Sequence, residues 1–388
     1  MDAIYFDNNA TTRIAPEVFD AMVPYLTDVY GNPSSVHRIG ARAGVALKDA
    51  REKVAAHLNC REAEITFTSC ATESNNAAIR GVLQAAPGKR HIVTTAVEHP
   101  SVLELCKHLE GNGYDVTYVG VDGEGRLNLD ALREALTQET ALVSIMWSNN
   151  ETGVIFPMDD IVDIVKNCGV PLHVDAVQMV AKIPIDLSKT AIDLLSLSGH
   201  KFHAPKGVGA LFVRRGTRMR PFIIGGGQEK NRRSGTENVA GIVGMGRAVE
   251  LGVRYLGSGV ETTRRLRDRL EAGILSAIPN TNVNGALSER LPNTTLINFD
   301  GIEGEAILLL MDEEGMCASS GSACTTGALE PSHVLKAMGV PSNLAHGSIR
   351  FSLSRYTTED EINTVLEKLP PIVERLASFT NHKRAGER

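Results

Sequence analysis

The chain has 388 residues, 43% of them apolar and 22% charged, with a formal net charge of −6. That length predicts more than one core, the composition excludes disordered and collagen-like classes, and the acidic balance supplies no basic stripe for nucleic acid. Residues 1–7 lack a basic stretch leading into an apolar run, and no apolar stretch reaches membrane-spanning length, so the expectation is a cytoplasmic protein without a membrane or nucleic-acid partner.

Phe19, Met22, Val23 and Leu26 fall at helical spacing after Pro16 and predict an amphipathic helix ending near Gly31. From residue 65 onward, apolar runs at 65–68, 91–95, 116–121, 141–147, 171–174, 194–198 and 208–213 read as strands, with helical patterns between most of them. Runs without a polar face, separated by helices, belong to a largely parallel sheet covered on both sides, the α/β class. Only the last strands, lacking a helix between them, break that pattern. A helical pattern from Asn238 to about Leu256 ends at Gly257-Ser258-Gly259, which marks a boundary. Beyond it, helices near 266–277, 304–314 and 359–376 and strands at 295–299 and 348–352 read as a smaller α+β domain. Residues 321–331, rich in small side chains, read as a surface loop able to move.

Most chemistry lies just past strand ends, where open α/β sheets bind ligands. Asp175 ends one strand and Lys201 follows the next, flanked by Ser198 and His200. Alone, a lysine there is an ordinary solvated charge. Facing an aspartate and hydroxyl or imidazole donors, it suits pyridoxal phosphate, with Lys201 as Schiff-base partner and Asp175 on the ring nitrogen. Gln178 could donate to the ring oxygen. Residues 68–75 join a strand to a helix N-terminus, an anion site in principle or a plain Ser/Thr capping box built on Ser69 or Thr72. His99 opens another helix and suits either stacking on a pyridine ring or capping. Asn149 to Gly153 read the same way after Trp147. His173, His200 and His203 match no common metal spacing, and neither a complete dinucleotide fingerprint nor a Walker A loop is present. The six cysteines form no C-x-x-C pair. Cys324, in the small-residue loop, is the one placed to act as a mobile nucleophile, an unperturbed thiol near pKa ~8.5 already being a strong one.

Together, Asp7-Asn8-Asn9-Ala10-Thr11-Thr12, Gly31-Asn32-Pro33-Ser34-Ser35, Ala71-Thr72-Glu73-Ser74-Asn75, Glu98-His99, residues 149–153, the Asp175 to Lys201 block, residues 233–238 and Ser320-Gly321-Ser322-Ala323-Cys324 resemble the cysteine desulfurases, over about residues 4–376. The resemblance implies a type I pyridoxal-phosphate transferase fold, aspartate-aminotransferase-like. A large domain at 14–257 would hold a seven-stranded, mainly parallel sheet, and residues 1–13 and 258–388 a small domain with the cysteine loop. It also implies a homodimer, pyridoxal 5′-phosphate as cofactor, L-cysteine as substrate and an iron–sulfur scaffold protein as sulfur acceptor. Carried over by position, Lys201, His99 and Cys324 are catalytic. Ala71, Thr72, Asn150, Asp175, Gln178, Ser198, Gly199, His200 and Thr236 contact the cofactor, Thr236 from the partner subunit. Asn150 and Arg350 grip the substrate carboxylate. Cys324 takes the sulfur as a persulfide and is a candidate ligand for a transient iron–sulfur cluster. The long loop resembles group I members. Residues 146–153 and 351–358 resemble the nitrogen-fixation (NifS) branch, implying a scaffold that serves nitrogenase. The alternatives are a housekeeping (IscS-like) desulfurase, a selenocysteine lyase or aminotransferase, and a non-catalytic sulfur or iron–sulfur carrier.

Overall fold

A computed structural model describes residues 3–321 and 331–386. Seven strands form one sheet in the spatial order Ile65–Thr68, Gly209–Val213, Leu194–Ser198, Leu172–Asp175, Thr140–Met146, His91–Thr95 and Asp115–Val119. Gly209–Val213 runs antiparallel to both neighbours and the remaining pairings are parallel. The strands Ile65–Thr68, Thr140–Met146, Leu172–Asp175, Leu194–Ser198 and Gly209–Val213 are buried throughout. That burial is why their sequences carry no polar face. The carboxyl ends of the parallel strands therefore lie along one edge. Between Leu172–Asp175 and Leu194–Ser198 the crossover is made of turns rather than a helix.

Three helices, Pro16–Thr27, Arg38–His57 and Val239–Tyr255, pack together over the first core. Arg38–His57 is absent from the sequence reading because its buried face sets only Leu47 and Val54 as large apolar side chains among Gly40, Ala43, Ala46, Ala50, Ala55, Arg51 and His57. Such a stripe gives little hydropathy contrast. Pro16–Thr27 stops at Thr27, short of Gly31, and buries Val18 and Met22, while Phe19, Val23 and Leu26 stay exposed.

A second sheet, ordered Ser319–Ser320, Ser348–Ser352, Thr294–Phe299 and Thr281–Val283, is antiparallel and has its own core of Phe299, Ile307, Met316, Phe351 and Leu369. The chain's start belongs to this core. Ile4–Tyr5 pairs in parallel with Met316–Cys317, and Phe6 is fully buried in the same cluster. Residues 7–12 then cross to the large sheet, where the Thr12 N–H donates to the His200 carbonyl at 2.8 Å.

Candidate active site

The carboxyl edge collects the expected residues. Ser69 to Thr72 follow one strand, Glu98 and His99 another, Asn149 to Glu151 a third; Asp175 ends a fourth, and Gly199–Lys201 forms a short helical turn after a fifth. Met146, Asp175 and Ser196 lie side by side in register, as do Thr68, Gly209 and Ser198. Gly209 must be glycine, because a Cβ there would sit 2.9 Å from the Cys70 backbone and from the Leu197 carbonyl. This close approach brings the N-terminus of helix Ala71–Ala85 beside Ser198. Cys70 is its N-cap and makes no side-chain cap, so first-turn N–H groups are left for water or an anion. The alternative of a Ser/Thr capping box is thereby set aside; Glu73 instead accepts from the Ser69 N–H at 2.9 Å and pairs with Arg233 at 2.8 Å.

Lys201 Nζ donates to the carbonyls of Asn9 and Ala10, at 2.6 and 2.7 Å. Asp175 is buried; its Oδ2 accepts from Asn75 Nδ2 at 2.9 Å and its Oδ1 from the Val177 N–H at 3.0 Å. Gln178 donates to the Asn9 carbonyl at 3.0 Å. His200 lies 3.2 Å from Thr11 Oγ1, and burial, with the Lys201 charge second, pushes its pKa down to about 4, so the ring is neutral. His99 caps helix Pro100–Glu110 and sits within the fields of Asp175 and Lys201, so capping and a place in the site are not alternatives. Burial holds it below the usual histidine range.

Asn149 to Gly153 form no helix start. Asn149 Oδ1 accepts from the N–H groups of Glu151 and Thr152, an Asx turn, and helix Met158–Asn167 begins only after Pro157. The turn aims the Asn150 carbonyl at Arg350, whose Nη1 donates to it at 2.9 Å. Arg350 is 3% exposed, and its Nη2 pairs with Asp7 at 2.7 Å while Nε has no partner among the described residues. The guanidinium expected for a substrate carboxylate is thus partly committed to Asp7. Thr236 is exposed on this chain. Cys324 lies outside the described residues. The segments flanking it converge on Glu151: Ser332 Oγ donates to Glu151 Oε2 at 2.5 Å, and a Cβ on Gly321 would fall 2.7 Å from that oxygen.

Three contributors have no role in the sequence analysis, where Asn9 and Glu98 appear only as members of motifs and Lys182 not at all. Asn9, 1% exposed, accepts from Lys201 and Gln178 through its carbonyl, and from Lys182 (3.3 Å) and Asn293 (3.1 Å) through Oδ1; its Nδ2 donates to the Asn150 carbonyl at 3.2 Å. Lys182 donates to Gln178 Oε1 at 2.7 Å, which fixes the amide's orientation; burial pushes its pKa down to about 7. Glu98 is wholly buried, with Oε1 accepting from Thr95 Oγ1 (2.7 Å) and the Met146 N–H (2.8 Å) and Oε2 unpartnered among the described residues. Burial pushes its pKa up to about 8, so the folded chain keeps a proton that the unfolded chain releases at ordinary carboxylate pH. Stability therefore falls as pH rises from the carboxylate range through about 8. Glu98→Gln, which cannot ionise, is expected to gain on the parent in melting temperature from about pH 6 to about pH 9. A pH-independent difference in calorimetry would refute the assignment.

The donor set fits a phosphate-bearing aldehyde with a basic ring nitrogen. The Ser198 hydroxyl is buried with no partner among the described residues, beside an uncapped helix N-terminus. A buried carboxylate and a primary amine occupy the same edge.

The profile of the aminotransferase class-V family matches residues 4–365. The chain is 59% identical over 383 residues to a cysteine desulfurase of Trichormus azollae, covering 99% of this chain and 96% of that protein. It is 52% identical over 381 residues to the cysteine desulfurase NifS of Azotobacter vinelandii, covering 98% and 95%. Among solved structures, a NifS-like protein superposes with a TM-score of 0.91 at 42% identity, over 96% of this chain and 100% of the other. SspA in complex with cysteine superposes with a TM-score of 0.81 at 35% identity, over 92% and 100%.

Proposed function

Because the chain belongs to the aminotransferase class-V family and is, within it, a pyridoxal-phosphate-dependent cysteine desulfurase, we propose that the residues on the carboxyl edge divide the reaction as follows. Lys201 is the covalent attachment point for the cofactor and moves the proton at the substrate Cα. Asp175 keeps the ring nitrogen protonated, Gln178 donates to the ring oxygen, and His99 stacks on the ring and exchanges protons. Thr72, Ser198 and His200 hold the phosphate, with Thr236 supplied by the partner subunit, and Ala71 and Gly199 also contact the cofactor. Asn150 contacts the cofactor and, with Arg350, grips the substrate carboxylate. When bound, pyridoxal phosphate supplies the sink for the electron pair left on the substrate carbon.

The transfer step belongs to Cys324. Its thiolate attacks the sulfur of L-cysteine; the S–S bond forms, the C–S bond breaks, and its electron pair stays on carbon, where protonation yields alanine. The resulting persulfide passes its outer sulfur to an iron–sulfur scaffold. The likeness to the Azotobacter vinelandii NifS supports one that serves nitrogenase. The exposed Phe19, Leu26, Tyr30, Val36 and Val45 support a homodimer, since so much apolar surface along two helices and their linker suits burial against a second copy. The second core, made of Phe6 and side chains between Leu266 and Val373, supports a division at residue 257, with 14–257 as the large domain and 1–13 joined to 258–388 as the small one, while Leu291, Leu296, Val334, Leu335, Met338 and Ala345 pack onto the first core. No helix among the described residues is long and apolar enough to cross a membrane, and the reading is a cytoplasmic enzyme.

The observation that carries this reading is the convergence on one edge of the Lys201 amine, the Asp175 carboxylate and the Ser198 hydroxyl, which is buried without a partner among the described residues. Mixing the cofactor-loaded protein with L-cysteine, without reductant, is expected to give one alanine for each extra sulfur found on the Cys324 peptide by mass spectrometry. Cys324→Ala is expected to keep the visible cofactor absorbance and to lose alanine formation by about 10²-fold or more. Full turnover in that variant would refute the persulfide role.

A further inference from the structure

Asn75, fully buried one turn into helix Ala71–Ala85, stands between two residues of the proposed site. Its Nδ2 donates to Asp175 Oδ2 at 2.9 Å and to Ser101 Oγ at 2.9 Å. The carboxylate fixes the amide's orientation, because turning it over would set a carbonyl oxygen against a carboxylate oxygen. Having accepted from Asn75, Ser101 Oγ has one proton to give, and His99 Nδ1 lies 2.9 Å away. The Ser101 backbone N–H, which can only donate, lies 3.1 Å from the same Nδ1. A ring nitrogen facing two donors is an acceptor, so the proton of the neutral imidazole sits on Nε2.

We propose that Asn75 and Ser101 are positioning residues that fix His99 as its Nε2–H tautomer and tie its orientation to that of Asp175. The inference deepens the reading of His99 and Asp175 as cofactor contacts and rests on it. Nδ1, occupied by the cap, takes no part in proton exchange; Nε2 is the atom through which His99 gives and receives a proton. Burial, which disfavours the imidazolium, works in the same direction.

The test is read first in cofactor-free protein labelled with ¹⁵N-histidine, with the His99 signals assigned by their loss in His99→Gln. The expected result is an unprotonated Nδ1 and a protonated Nε2. Ser101→Ala removes one of the two bonds into Nδ1 and so destabilises the neutral ring. The His99 titration is expected to rise by about half a unit to one unit, with some Nδ1–H tautomer appearing. Ser101→Thr, which keeps the hydroxyl, is expected to restore the parent values. A protonated Nδ1 in the parent protein, or a Ser101→Ala titration that does not move, overturns the inference. The parent spectrum alone decides the first point if Ser101→Ala fails to fold. Failure of the underlying reading shows separately, as absence of cofactor on the Lys201 peptide after borohydride reduction.

Discussion

Lys201→Ala is expected to abolish desulfurase turnover, by roughly 10³–10⁴-fold, and to remove the visible absorbance of the covalently bound cofactor. The amine is held by two backbone carbonyls of the N-terminal segment, at 2.6 and 2.7 Å, so the loss is of one group from a built position rather than of a mobile surface charge. The pocket otherwise survives: Asp175 keeps its bonds to Asn75 and Val177, and the helix N-terminus near Ser198 is untouched. The variant should therefore still bind pyridoxal phosphate without a covalent bond, more weakly than the parent, and added small primary amines should restore a fraction of turnover. Equilibrium dialysis of the cofactor and alanine release with and without methylamine measure both. Parent-level turnover in Lys201→Ala would remove the lysine from the chemistry.

Much of this site is legible in the sequence because the fold writes it locally. Asp175, Lys201, His99 and Ala71-Thr72 each follow an apolar run by a few residues, and a parallel sheet places all such positions on one edge. What the chain does not show is which distant residues complete them. Asn9 reaches Lys201 across 192 positions, and Asp7 reaches Arg350 across 343. Lys182 and Asn75 are ordinary polar residues until the sheet sets them against Gln178 and Asp175. The long helix Arg38–His57 is hidden for a different reason: alanine packs closely but contributes little to an apolar pattern. In helix Pro16–Thr27, Phe19, Val23 and Leu26 form a stripe that faces outward, since hydropathy spacing identifies an apolar face without saying what covers it. Thr236 and Cys324 act, in the proposed reading, from another subunit and from a loop outside the described residues.

Arg350→Ala is expected to lower kcat/KM for L-cysteine by about 10²-fold or more, mostly through KM, since charge-assisted bonds to a carboxylate contribute about 1.5–3 kcal/mol each. The guanidinium has five N–H groups; one donates to the Asn150 carbonyl and another pairs with Asp7, which leaves donors for a substrate. The same substitution breaks an ion pair joining the N-terminal segment to strand Ser348–Ser352, so stability falls as well, and stability alone could depress activity. Asp7→Ala separates the two effects. It breaks the same pair and leaves the guanidinium in place, so if Arg350 binds substrate, Asp7→Ala must retain far more kcat/KM than Arg350→Ala at matched melting temperature. A second discrimination comes from the substrate. Cysteamine lacks the carboxylate, so the parent's preference for L-cysteine over cysteamine in binding should collapse in Arg350→Ala. Arg350→Lys should recover little of it, because a lysine keeps the charge without the planar fork. Equal losses in Asp7→Ala and Arg350→Ala, with the preference intact in both, would reduce Arg350 to a structural tie between the N-terminal segment and the second sheet.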